Sequence, residues 1–131
     1  MEVLKELALF SSKREGEVAT ILGLVGSFVV SLFGGFDIVT YILFGFMAFD
    51  WITGIILAGV FKKSTKSEGG ALSSKAGQIG LLRKGLTLAV VIMAHCFDLL
   101  IGQGNYFRDG ALLAFVVNES VSILENLGAM G

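Results

Sequence analysis

Apolar residues gather along this chain into four long runs separated by short polar stretches, the pattern of helices that cross a bilayer. The first run covers residues 18–33 and stops at the turn Gly34-Gly35-Phe36-Asp37. Its sixteen residues rise about 24 Å, a little short of a 30 Å hydrocarbon core, so it extends at an end or thins the bilayer around it. Gly23, Ser27 and Ser31 recur every four residues, as on a small-residue packing face. The second run, residues 38–61, holds 13 Ile, Leu, Val or Phe among its 24 residues. Each adds about −0.3 to −0.6 kcal/mol to insertion, and Asp50 near the middle opposes them by only about 2.5 to 3.5. The apolar side wins.

A polar stretch, residues 62–84, reads as a Ser- and Gly-rich basic loop with room for a short surface helix over residues 76–82. The third run is residues 85–102, interrupted by His95 and Asp98. A polar connection, residues 103–110, leads to the fourth run, residues 111–130. There nine Ile, Leu, Val or Phe face Asn118, Glu119, Glu125 and Asn126. Two buried, unpaired carboxylates would cancel the apolar gain, so this helix crosses only with polar partners or lies partly at the interface. Ahead of all four, residues 1–17 mix charges with Val3, Leu4, Leu7 and Phe10 at helical spacing. That predicts an amphipathic surface helix and excludes a cleavable signal peptide. The expected fold is one all-α integral membrane domain: an amphipathic N-terminal helix (1–17), a transmembrane hairpin (18–61), the basic loop (62–84), and third and fourth membrane helices (85–130). That makes three to four transmembrane helices, the fourth amphipathic.

Composition agrees. Of 131 residues 54% are hydrophobic and 16% charged, against about 25% charged in a soluble domain. A globule this small has no core large enough for the excess. A net charge of −1 gives no reason to expect nucleic acid. Charge placement fixes orientation. If all four runs cross, nine of the ten Lys and Arg share one side and Arg108 alone lies opposite. Lys62, Lys63, Lys66, Lys75, Arg83 and Lys84 in the loop then set the topology, with loop and N-terminus in the cytoplasm.

Polar residues inside the runs are the candidates for function. Asp50 must face protein or water, and Thr53 and Gly54 fall one turn later on the same face. His95 and Asp98, three apart, share a face and suit an ion pair, a proton-linked switch or a structural hydrogen bond. In the fourth run Asn118, Glu119, Ser122, Glu125 and Asn126 form a polar stripe, with Leu113, Val116, Val117, Leu124 and Leu127 largely opposite. Such a stripe reads as interhelical hydrogen bonding or a water-lined surface. Cys96, the sole cysteine, excludes an intrachain disulfide. The chain carries no nucleophile triad, no phosphate-cradling glycine loop and no metal-ligand pair at helical spacing, so no enzyme, metal or cofactor is expected.

Asp50-Trp51-Ile52-Thr53-Gly54 after an apolar run, a basic loop with Ser73, Ser74, Gly77, Gly80, Arg83 and Lys84, Asp98 closing the third run, and Asn118-Glu119 followed by Ser122-Ile123-Leu124-Glu125-Asn126 occur here together. In this order, over residues 34–128, the chain resembles the phage lysis and toxin-secretion holins. The resemblance implies a non-catalytic protein of the bacterial cytoplasmic membrane that self-associates and opens lesions. An endolysin or toxin would then be released cargo rather than a bound partner. It also implies a hydrophilic tail after the fourth helix, and it has no counterpart for His95. Asp50, Thr53, Gly54, Asp98 and the Asn118/Glu119/Ser122/Glu125/Asn126 face are the expected pore or oligomer contacts. Two other classes fit the size: a proton-coupled four-helix exporter, which usually places its key carboxylate in a first span that here has no charge, and a regulatory membrane subunit such as an antiholin.

Overall fold

The computed structural model describes residues 1–102 and 104–131; Gln103, placed by the sequence in the third connection, lies outside the described residues. Four of its helices are long and apolar enough to cross a membrane, and there is no strand among the described residues. The chain divides into two compact units, Met1–Gly35 and Phe36–Gly131.

The first unit is a single helix, α1, Glu2–Leu32. Its 31 residues rise about 46 Å, longer than the roughly 30 Å hydrocarbon core of a bilayer. The sequence suggested a separate surface helix ending near residue 17. No break occurs there, because no proline interrupts the chain and a lone Gly16 costs a helix only about 1 kcal/mol. The helix stops where expected. Gly35 N–H donates to the Val30 carbonyl (3.0 Å) and Gly34 N–H to that of Ser31 (3.1 Å), a Schellman closure. Gly34 sits at φ 73°, which a residue without Cβ adopts freely.

The second unit begins with α2, Ile38–Ile56. Asp37 caps it, its carboxylate accepting from the Thr40 amide (3.1 Å) and hydroxyl (3.0 Å). A π-helical turn, Leu57–Phe61, prolongs α2 until Lys62 closes it in the left-handed conformation. A short loop with one 3-10 turn, Glu68–Gly70, leads to α3, Ser74–Ile101. The loop is therefore half as long as the sequence suggested. Ser73 caps α3, accepting from the Ala76 amide (3.4 Å), and Ala76, Gln78, Leu81 and Leu82 carry the helix past Gly77 and Gly80. Lys75, Arg83 and Lys84 consequently ride on a helix and not on a loop. Gly102 ends α3 at φ 74°.

The last helix, α4, is Tyr106–Met130 and begins five residues earlier than the apolar run did. Asp98 is the reason. Its two carboxylate oxygens accept from the amides of Phe107 and Arg108, both at 2.9 Å. Those N–H groups have no partner inside α4, and a carboxylate also suits the positive end of the helix dipole. α4 packs along both α2 and α3. It runs parallel to α2 in a near-constant register: bonded partners are separated by 71 residues at Asp37–Arg108, 72 at Asp50–Ser122 and 73 at Thr53–Asn126. Leu43 and Met47 of α2, Val91 and Ala94 of α3, and Leu112 and Ile123 of α4 form the apolar interior. Large apolar side chains elsewhere point outward, among them Phe49, Met93, Leu100, Leu113 and Leu124, as a lipid-facing surface requires.

Candidate functional site

Two polar clusters are buried in the second unit, one at each end of its apolar interior. Asp50 is the hub of the first. Its carboxylate takes the Lys84 ammonium at 2.7 Å on one oxygen, and the Ser122 hydroxyl (2.6 Å) and Asn126 amide (3.1 Å) on the other. Lys84 also donates to Glu119 at 2.6 Å, so one ammonium lies between two carboxylates. The Asn126 amide also reaches the Thr53 hydroxyl (3.0 Å) and the Asp50 carbonyl (3.2 Å). The Lys84, Asp50 and Glu119 side chains are 17%, 7% and 6% exposed, low enough that these charges depend on one another rather than on solvent. Gly54 lies against the Asn126 amide with room for ordinary contact only.

The polar stripe read from α4 is thus divided. Glu119 and Asn126 are buried and Ser122 half-buried, whereas Asn118 and Glu125 are exposed. The buried face also includes Leu112 and Ile123, which the sequence did not assign to either side. Asn118 and Glu125 line a groove of about 660 Å³ between α2, α3 and α4, beside Gly54, Gly77, Gly80 and Arg83. Lys84 was expected only to set topology. The structure places it instead at the centre of the cluster, reaching across from α3 because the helix begins early enough to carry it inward. Lys62, Lys63, Lys75 and Arg83 remain exposed, and Lys66 lines the groove.

The second cluster was not legible as a site. Arg108, 1% exposed, donates to Asp37 and Asp109 (both 2.9 Å) and to the Thr40 hydroxyl (2.9 Å). A signal did exist in the sequence: if all four runs cross, Arg108 is the one Lys or Arg of ten on its side, and Asp37, Asp98 and Asp109 sit near the same helix ends. The Arg108 guanidinium beside Asp37 is the main influence holding that carboxyl well below the ordinary carboxylate range, helped by Thr40 and opposed by partial burial. Asp98 is brought here as the cap of α4, and His95 is not bonded to it: the His95 Nδ1 is buried without a hydrogen-bond partner among the described residues.

A bundle whose outside is apolar and whose buried charges are paired helix to helix is that of a multi-pass membrane protein. Residues 27–131 match the bacteriophage holin family, and the chain belongs to that family. It is 35% identical over 117 residues to an uncharacterised protein of Listeria innocua, covering 88% of this chain and 78% of that one. A 14.9 kDa uncharacterised protein of Clostridium perfringens is 35% identical over 108 residues, 82% of this chain and 76% of its own length. A probable holin of Bacillus phage phi105 is 34% identical over 82 residues, 63% of this chain and 55% of the phage protein. No solved structure matches the chain.

Proposed function

We propose that the protein self-associates in the bacterial cytoplasmic membrane and opens lesions through which a cell-wall hydrolase or a toxin leaves the cell, without catalysing a reaction. The observation that carries this reading is the Asp50–Lys84–Glu119–Ser122–Asn126 network, which ties three membrane helices together through groups that lipid cannot solvate. A chain of this size encloses a wide hole only in many copies, with polar surface turned to water. The network supplies that surface: paired inward it holds the bundle closed, and separated it hydrates a lumen. Membership of the holin family supports the same reading, and so does the phage protein named as a probable holin. With the positive residues kept inside, the N-terminus, the 62–73 loop and the C-terminal end of α4 lie on the cytoplasmic side.

Induced expression in a bacterium, with a potential-sensitive dye and a cytoplasmic marker enzyme followed together, tests it. Abrupt depolarisation with marker release is expected. Drug resistance without leakage would instead indicate an exporter, and an intact, silent membrane a regulatory subunit.

A further inference from the structure

The groove between α2, α3 and α4 holds charges that the first cluster does not use. Its least exposed charged residues, Asp50, Lys84 and Glu119, are paired with one another. The rest of its polar lining includes Lys66 from the loop, Arg83 from α3, and Asn118 and Glu125 from α4, all exposed. Among the described residues neither Lys66 nor Arg83 is ion-paired to Glu125. Gly77 and Gly80 leave space on the α3 side, where a Cβ would meet nothing within 4 Å.

Size, depth, lining and charge together select an occupant. A volume of about 660 Å³ is little more than one turn of a helix 10–12 Å wide, so it suits a single small ligand and not a further helix. α3 ends and α4 begins at one membrane face. Arg83 lies 18 residues before Ile101, and Glu125 lies 19 residues after Tyr106. Both are then about 27–28 Å from that face, at the opposite headgroup boundary of a 30 Å core. Trp51, Ile55, Leu72, Ile79 and Val121 share the lining with the polar groups, so the occupant is amphiphilic. The charged lining is three cations, Lys66, Arg83 and Lys84, and three carboxylates, Asp50, Glu119 and Glu125. It is neutral in sum and carries both signs.

We infer that the groove takes the headgroup of a zwitterionic phospholipid with a primary ammonium, of the ethanolamine class. The phosphodiester accepts from Arg83 and Lys66, and the ammonium donates to the Glu125 carboxylate and the Asn118 side-chain carbonyl. A monoanionic headgroup would add a negative charge to a balanced groove. A choline headgroup brings no N–H to Glu125. The inference is independent of lesion formation and of which leaflet the groove opens to.

Trp51 is the sole tryptophan and lines the groove, so its fluorescence reports the occupant. The full chain is reconstituted in phosphatidylcholine vesicles containing a small fixed share of lipid with brominated acyl chains, which quench tryptophan at close range. Brominated phosphatidylethanolamine is expected to quench several-fold more than brominated phosphatidylglycerol or phosphatidylcholine at the same share. Arg83→Gln and Glu125→Gln, both at exposed positions, each bring that quenching down to the phosphatidylcholine level. Gly77→Leu does the same by filling the groove without altering a charge, and Leu favours a helix over Gly. Equal quenching by the three lipids, a preference for phosphatidylglycerol, or an ethanolamine preference that survives all three substitutions would overturn the inference. The three-lipid comparison uses the unaltered chain, so misfolding of a variant cannot mimic its result.

Discussion

Replacing Lys84 with Met removes one ammonium and strands two carboxylates. Asp50 and Glu119 would then face each other across α2 and α4 with side chains only 7% and 6% exposed. Breaking a buried ion pair by removing one partner costs about 3–5 kcal/mol. In a domain of about 100 residues each kcal/mol moves the midpoint by about 4–8 °C, so Lys84→Met is expected to lower the unfolding temperature in detergent by at least about 12 °C. Neutralising the acids as well, in Lys84→Met/Asp50→Asn/Glu119→Gln, recovers most of that loss, because the penalty lies in unpaired charge and not in lost volume. In cells the single variant opens the membrane earlier than the wild type, measured as the interval from induction to marker release. An unfolding temperature within about 2 °C of wild type, together with unchanged timing, would refute the claim that this ammonium holds the helices closed. So would a triple variant no more stable than the single one.

Asp98→Ala strips the cap from the start of α4 and is expected to cost about 1–2 kcal/mol, with faster hydrogen exchange at the amides of Phe107 and Arg108 than elsewhere in the helix. Asp37 has a native pKa below its unfolded value, so its contribution to stability is complete above about pH 4 and disappears as the pH falls further. Thermal melts of Asp37→Asn are accordingly expected to depend less on pH than wild type below pH 4, and equal slopes would exclude the Arg108 contact as the cause. Single cysteines at Asn118 and Glu125 in purified monomer are expected to react quickly with a water-soluble thiol reagent, while Leu112→Cys and Ile123→Cys are protected. Uniform labelling along α4 would contradict the division of its polar stripe.

Much of the architecture followed from residue order. Four apolar runs, the Gly34-Gly35 stop and the uneven distribution of Lys and Arg are properties of the one-dimensional chain. Helix formation in a membrane depends mainly on local hydropathy and backbone satisfaction, so these were readable. Asp50, Glu119, Ser122 and Asn126 were legible as residues needing partners, for the same reason. Their partners were not. Lys84 looked like one more loop cation, because its role depends on where α3 begins, and the Ser73 cap decides that against a glycine-rich composition. Arg108 and Asp37 are 71 residues apart and meet only through the parallel register of α2 and α4. The stripe on α4 was visible as a stripe, but which half turns inward was settled by packing against two neighbours at once. Local pattern determines which segments enter the bilayer; pairing of buried charges is a property of three-dimensional contact, and only the assembled bundle could assign it.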